Sequence, residues 1–243
     1  MPDAEARRVV VAGLANARDL GGLPRAGGGA TPTGVFVRAE QPDLVDAAGW
    51  RALRGRGVAA VLDLREPEER RTHPSRPPVD VADLHVPHDG LEHAAFWAGY
   101  WDNGLSGTPR YYLPHLAALP ERTVAVLAAL ATAPDGAVLF HCAGGRDRTG
   151  LVAAILLRIA GVPDDAIVAD YLESVGNGPA SAALHGRPDG EAAVEALLTG
   201  LGTTSEGAFR EFLAGLDVAP LLDALPPEQA AALRTWRGAL PPG

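Results

Sequence analysis

Apolar positions along the chain fall into a few solid runs set between longer stretches with helical spacing. Val58 to Leu64 and Ala137 to Phe140 are almost uninterrupted, the pattern of strands buried on both faces. Val9 to Val11 reads as a short edge strand. Val35 to Arg38 and Val79 to Val86 read as two more strands, the second ending at Pro87. Asp46 is placed to cap a helix over Ala47 to Arg54, and Pro67 opens a charged turn or short helix. Pro120 opens a helix through Ala131, and Pro163 another over Asp164 to Glu173. Leu151 to Gly161 is apolar all round and closes on glycine, as a buried helix does. Further helical spacing covers residues 191–201, 205–215 and 227–237. Residues 72–78 and 176–190 read as loops, the first dense in proline and the second in Gly, Pro and Ala.

Strands alternating with helices predict an α/β fold with a mostly parallel central sheet flanked by helices and a helical C-terminal region. No internal repeat is present, and no linker divides the chain. The expectation is a single domain over residues 1–243, with helices of about 177–240 forming a cap or one side of the sandwich. Between residues 89 and 118 the aromatics Phe96, Trp97, Tyr100, Trp101, Tyr111 and Tyr112 cluster. They fit either helical packing on the sheet or an aromatic wall beside a pocket.

The two strongest signals, the strand ending at Phe140 and the helix starting near Leu151, bracket His141-Cys142-Ala143-Gly144-Gly145-Arg146-Asp147-Arg148-Thr149-Gly150. A strand–loop–helix turn of this kind presents backbone N–H groups at a helix N-terminus, a setting that binds anions. Cys142 is the only cysteine in the chain. A helix N-terminus and nearby guanidinium groups favour the reactive thiolate form of such a residue. Arg148, six residues on, can curl back across the glycines, and its planar fork suits two phosphate oxygens at once. The amides from Ala143 to Arg148 supply further donors, and Thr149 a hydroxyl near the sulfur. This is the equipment for phosphate-ester hydrolysis in two steps, through a phosphocysteine. A lone cysteine is more commonly a small buried hydrophobe. Here the flanking strand and helix favour the chemical reading.

Composition narrows the setting. The chain of 243 residues has 47% hydrophobic content, enough for a sizeable core. A net charge of −9 argues against nucleic acid as the main partner, so an anionic substrate must be drawn by local positive charge. One cysteine makes no internal disulfide, which fits a reducing compartment. No apolar run reaches the roughly 20 residues of a membrane helix. The first residues, Met1 to Arg8, carry no secretory pattern, so a cytoplasmic location is expected, with signal-free export left open.

The stretch from His141 to Gly150 resembles the active-site loop of the cysteine-dependent protein tyrosine phosphatase superfamily. With Asp147 preceding Arg148 it resembles a narrower group, the bacterial and fungal tyrosine-phosphatase family. Asn16 to Gly22, Asp63-Leu64-Arg65 with an acid at Glu68 or Glu69, and Asp170-Tyr171-Leu172 are similar to that family's stretches in the same order. The resemblance implies a phosphatase-like fold with Cys142 as nucleophile and Arg148 as phosphate clamp. The phosphate cradle would run from Ala143 through Gly144, Gly145, Arg146 and Asp147 to Arg148, supported by His141, Thr149, Asp63 and Arg65. Arg18 and Asp19 join the support as outlying ions. It further implies Asp147 as general acid, preferred because a carboxylate beside the leaving group needs no loop closure. Asp89, just past Pro87, holds the place of the mobile-loop aspartate of other relatives. Implied substrates are phosphoproteins carrying phosphotyrosine, with phosphoserine, phosphothreonine or a phosphoinositide as further classes. No metal and no cofactor are implied. Two departures stand out: Arg146 replaces the family's lysine, which leaves it as either a second phosphate reader or a surface charge, and Ala17 replaces a phenylalanine.

Two other chemistries fit the residues less well. His85, His88 and His93 straddle a proline and a glycine, so no single element presents them together to a metal. A sulfurtransferase also places cysteine in an anion-binding loop, but the Asp147-Arg148-Thr149-Gly150 ending differs. A non-catalytic phosphate-binding module remains as the reading outside enzymes.

Overall fold

A computed structural model describes residues 4–241, so the reading of Met1 to Asp3 lies outside the described residues. The strands are β1 (Arg18–Asp19), β2 (Phe36–Ala39), β3 (Val58–Asp63), β4 (Ala82–His85) and β5 (Ala137–His141). The helices run in order as α1 (Ala4–Arg7), α2 (Ala47–Gly55), α3 (Pro67–Thr72), α4 (Ala94–Trp101), α5 (Tyr112–Ala118) and α6 (Pro120–Thr132). They continue with α7 (Asp147–Ile159), α8 (Asp164–Leu184), α9 (Glu191–Gly200), α10 (Ser205–Gly215), α11 (Ala219–Asp223) and α12 (Pro227–Arg234). One five-stranded sheet has the order β1-β2-β5-β3-β4. Its inner strands are parallel, and only β1 pairs antiparallel, at the edge.

The sheet is mixed and mostly parallel, flanked by helices, as the alternation of patterns predicts. Strand register positions the site. Ala39 of β2 and Asp63 of β3 both pair with His141 of β5, so three carboxyl ends finish level. A crevice at the carboxyl ends of parallel strands is where α/β sheets place ligands.

Side chains of β5 alternate between two cores. Val138 and Phe140 join the larger one, with α6, α7, α8 and the C-terminal helices. Ala137 and Leu139 join the smaller, with Trp50 and Leu53 of α2. Leu221, Leu222, Leu233 and Trp236 belong to the larger core: α11 and α12 pack on α6, α12 also on α7, and Trp236 just beyond α12 meets Phe36 of β2 edge-on at 4.8 Å. Every residue of α7 from Thr149 to Leu157 is buried, which accounts for its unbroken apolar sequence.

Several boundaries differ from expectation. Val9 to Val11 forms no strand: Val9 and Val11 are buried, but pairing there is limited to a bridge between Arg8 and Arg18. The edge strand instead lies inside the stretch expected to be a loop, at Arg18–Asp19. The strand over 79–86 shortens to Ala82–His85, because Val81 N–H closes a turn onto Pro78 O at 2.9 Å. Of the charged turn or short helix expected at Pro67 the structure has the helix, with Glu66 and Glu69 forming a capping box. The central helix starts at Asp147, inside the motif, rather than at Leu151. The expected loop at 176–190 is helical as far as Leu184. There, packing overrides the low helix propensity of Gly176, Gly178 and Pro179. Glu191 fills the space beside Gly178, where a Cβ would lie 2.6 Å from its Cγ.

Candidate active site

Between His141 at the end of β5 and Asp147 at the start of α7 the chain makes a tight loop whose carbonyls point outward. Ala143 O accepts from Gln41 N–H at 3.1 Å, and Gly144 O accepts from Asn16 Nδ2 at 3.1 Å. Gly145 O accepts from Arg38 Nη2 at 2.8 Å and from Ser174 Oγ at 3.4 Å. Among the described residues, no protein acceptor takes the N–H groups of Ala143, Gly144, Gly145 or Arg146. Outward carbonyls and unclaimed amides, joined to the N-terminus of α7, make an anion-binding concavity. Gly145 is essential to it: φ is +68°, and a Cβ would lie 2.6 Å from the Ala39 carbonyl.

The outward face rests on a buried hub. Asp170 of α8 accepts from Arg7 Nη1 at 2.9 Å, Arg18 Nε at 2.9 Å and Arg38 Nη1 at 2.5 Å. Burial alone would raise its pKa, but Arg18, Arg38 and Arg7 together hold the carboxyl far below the usual range. Arg18 also donates to Asn16 Oδ1 at 2.8 Å, which fixes the amide that holds Gly144. The Asp19 carboxylate stays out of this hub, accepting from Gly21 and Gly34 N–H to shape a turn, while the Asp19 carbonyl accepts from Arg7 Nη1 at 3.2 Å.

On the other flank Asp63 and Arg65 form a two-pronged buried pair, with Nε–Oδ1 2.9 Å and Nη2–Oδ2 2.7 Å. Asp63 Oδ1 lies 3.9 Å from Nε2 of His141, whose Nδ1 contacts Cys142 O at 3.0 Å. Burial drives the His141 pKa down to about 4, so the ring is neutral beside the loop. Asp63, Arg65 and His141 therefore brace the loop from behind.

In front of the loop is a cavity of about 240 Å³ lined by Cys142, Ala143, Gly144, Arg146, Asp147 and Arg148 below and Asp89, Trp97, Trp101 and Tyr111 around it. Cys142 is 3% exposed. Arg148 reaches across to Glu69 with both terminal nitrogens, at 2.6 and 2.8 Å, and lies 3.0 Å from Asp89 Oδ2. Asp147 Oδ1 accepts from the buried Tyr112 hydroxyl at 2.9 Å. Asp89 has its carbonyl fixed by Trp97 Nε1 at 3.1 Å and contacted by His115 Nε2 at 3.2 Å. Burial raises the Asp89 pKa to about 6, with Arg148 opposing and Glu69, Glu66 and Asp147 adding to the rise.

Arg146 is 8% exposed, so it is no surface charge. It lies 3.2 Å from Glu191 Oε2, donates to Gly107 O at 3.2 Å and to Ser205 Oγ at 3.4 Å, and stands 5.9 Å over the Tyr171 ring. Partial burial raises the Glu191 pKa to about 7, with Arg146 opposing.

The structure thus gathers Cys142, Ala143, Gly144, Arg146, Asp147, Arg148 and Asp89 at one cavity, with Gly145 in the loop but off the cavity lining and with His141, Asp63 and Arg65 behind it. Thr149 is fully buried, and its hydroxyl has no hydrogen-bond partner among the described residues, the sulfur included. The aromatics divide: Phe96, Tyr100 and Tyr112 pack in and against the core, Trp97 and Tyr111 belong to the core and also wall the cavity, and Trp101 walls the cavity without joining the core. The three histidines do not converge. His88 is stacked on His115 at 4.8 Å, His85 contacts Arg65 O, and His93 precedes α4. Sequence reasoning does not reach Arg38, Gln41 or Ser174, and it reaches Tyr112 only as one member of the aromatic cluster. Arg38 leaves a trace as a charge ending an apolar strand; Gln41 and Ser174 leave none.

Fold and loop together define an α/β protein with an anion-fitting cradle at the carboxyl edge of its sheet. The chain belongs to the tyrosine phosphatase family, whose profile matches residues 9–219. Among curated relatives, it is 34% identical over 167 residues to a Cupriavidus necator protein named as a candidate tyrosine-protein phosphatase, covering 66% of this chain and 60% of that one. It is 32% identical over 169 residues to the triple specificity protein phosphatase PtpB of Mycobacterium tuberculosis, covering 58% of this chain and 61% of PtpB. A tyrosine-protein phosphatase of Nostoc commune is 31% identical over 158 residues, covering 58% of this chain and 49% of its own length. The chain therefore spans about half to three-fifths of the curated relatives it matches. The crystal structure of P. aeruginosa TpbA aligns at a TM-score of 0.35 and 20% identity, covering 77% of this chain and 83% of TpbA. No helix among the described residues is long and apolar enough to cross a membrane.

Proposed function

We propose that the protein is a cysteine-dependent phosphomonoester hydrolase acting on phosphotyrosine in proteins, with residues 1–243 working as one phosphatase domain. The observation that carries this reading is the run of unclaimed amides from Ala143 to Arg146 directly after Cys142, with the carbonyls of Ala143, Gly144 and Gly145 taken by Gln41, Asn16 and Arg38. Family membership and the names of the relatives support it. The Cys142 thiolate attacks phosphorus, a P–S bond forms and the ester P–O bond breaks. Arg148 takes two phosphate oxygens and the amides from Ala143 to Arg148 take the rest. Asp147 gives its proton to the departing phenolate, then takes one from the water that cleaves the phosphocysteine. Inorganic phosphate leaves and the thiolate is restored.

Asp147 suits the proton transfer because Tyr112 fixes its rotamer inside the loop. A second reading gives this role to Asp89. It is favoured by one observation, a carboxyl at the same cavity with a pKa raised to about 6.

Hydrolysis of p-nitrophenyl phosphate that survives EDTA and disappears in Cys142→Ser tests the reading. Binding of phosphate without turnover by the wild type would make the protein a phosphate-binding module instead. A kcat/KM panel on phosphotyrosine, phosphoserine and phosphoinositide then separates the substrate classes.

A further inference from the structure

Among the tryptophans, tyrosines and phenylalanines of the described residues, Trp101 alone is exposed, at 54% of its surface. Every other tryptophan is buried. It ends α4 at the mouth of the cavity and lines it together with Cys142 and Arg148. An indole left in water forgoes the burial that usually places this residue inside or at an interface.

The ring is mounted rather than loose. It leans on Trp97 at 5.8 Å between centroids and 57° between planes. Trp97 in turn is buried, packs on Phe96 at 5.1 Å and Tyr111 at 5.5 Å, and donates from its indole to Asp89 O at 3.1 Å. The orientation of Trp101 is therefore tied to the segment that carries Asp89. Elsewhere on the same cavity wall stand two of the smallest residues, Ser106 and Gly107. A Cβ added to Gly107 would meet no atom within 4 Å, so nothing fills the space beside it.

Charge decides what such a mouth accepts. Arg146 and Arg148 are the cationic side chains lining the cavity, and both are already paired, the first with Glu191 and the second with Glu69 and Asp89. The remaining charged lining is Asp89 and Asp147. One phosphate finds the amide cradle; a second phosphate on the same ligand would face carboxylates. A flat apolar ring carrying a single phosphate meets neither penalty, and it brings a π-face to the indole.

We infer that Trp101 is the specificity-determining residue of this cavity, the platform on which the ring of an aryl monophosphate stacks while its phosphate lies in the loop. The inference rests on the phosphatase reading for its reaction but not for its contact. Stacking and burial of one ring on an indole give a preference of about tenfold.

The experiment compares wild type, Trp101→Ala and Trp101→Phe on one peptide carrying phosphotyrosine or phosphoserine. In Trp101→Ala the ratio of the two kcat/KM values falls about tenfold, through KM for phosphotyrosine, and Trp101→Phe restores most of it. An unchanged ratio overturns the inference, as does equal loss on both peptides, which would assign Trp101 to the protein part of the substrate. Calorimetric titration of phosphotyrosine and phosphoserine into Cys142→Ser, with and without Trp101→Ala, reads the contact without turnover. If wild type hydrolyses neither peptide but binding still discriminates through Trp101, the phosphatase reading fails and the platform stands. If turnover is brisk and indifferent to Trp101, the platform fails and the phosphatase reading stands.

Discussion

Arg148 and Glu69 form a two-pronged ion pair across the cavity, Nη1 to Oε2 at 2.6 Å and Nη2 to Oε1 at 2.8 Å. The same Glu69 carboxylate accepts the Glu66 N–H at 3.0 Å as part of the α3 capping box. Helix α3 is thus anchored to the guanidinium proposed to clamp phosphate. Burial alone would raise the Glu69 pKa, but the hydrogen bonds and charge of Arg148, the Glu66 N–H and the Arg65 charge together hold it below the usual carboxylate range.

Removing the Glu69 charge leaves Arg148 with Asp89 as its remaining counter-ion. Glu69 is partly exposed, so solvent screening keeps the loss in Glu69→Gln to about 1–2 kcal/mol. Tungstate or phosphate can take the vacated donors. Thermal unfolding should therefore show a lower midpoint for Glu69→Gln in plain buffer and a larger rise with added anion than in wild type. Equal anion-induced shifts would mean that Glu69 and the anion do not share Arg148.

Asp147→Asn and Asp89→Asn should separate the two carboxyls. If Asp147 protonates the leaving group, Asp147→Asn keeps most of the burst rate of p-nitrophenol release from p-nitrophenyl phosphate, whose leaving group needs little help, while the later hydrolysis of the phosphocysteine slows on every substrate. The variant should lose about 10²–10⁴-fold on phosphotyrosine. The reverse pattern would move the role to Asp89. Asp89→Asn has its own signature in stability. Because the folded pKa of about 6 lies above the unfolded value, Asp89 stabilises the fold below about pH 4, and this is lost as pH rises through 6. Urea denaturation should show that fall, on the order of 3 kcal/mol at most, flattened in Asp89→Asn.

The strand–loop–helix around Cys142 is legible because apolar runs on both sides leave one polar decade between them, and because Cys142 and Arg148 lie within it. The level strand ends that place His141 beside Ala39 and Asp63 depend on register, which no local pattern encodes. Arg38 reaches Asp170 across 132 positions, and Tyr112 reaches Asp147 across 35. Such contacts are written in packing rather than in spacing. The helical segment from Gly176 to Leu184 runs against its own propensity, so only the tertiary fold could disclose it.

Asp170→Asn tests the hub. The substitution leaves Arg7, Arg18 and Arg38, all buried, without their shared charge, a loss of about 3–5 kcal/mol. Since the Asp170 carboxyl is held far below its unfolded value, its stabilising effect is full above about pH 4 and fades as pH falls further. Wild type and Asp170→Asn should therefore differ strongly in urea midpoint at pH 7 and converge toward pH 2. A constant difference across that range would assign the effect to packing rather than to charge.

Arg146 and Glu191 join the loop to α9 and α10. Arg146 Nη2 lies 3.2 Å from Glu191 Oε2, and the same guanidinium holds Gly107 O and Ser205 Oγ. In Arg146→Ala the Glu191 carboxyl keeps its half-buried place and loses the guanidinium that opposes its desolvation, so it costs most when ionised. Its pKa, already about 7, moves further up. At pH 8 the variant should lose about 2–3 kcal/mol, and amide exchange across Glu191–Gly200 should rise; at pH 5, where Glu191 is protonated, both effects should shrink. Hydrogen exchange at the two pH values, corrected for intrinsic rates, measures this. Equal protection loss at both would show that Arg146 ties the helices through Gly107 and Ser205 alone, with Glu191 electrostatically idle.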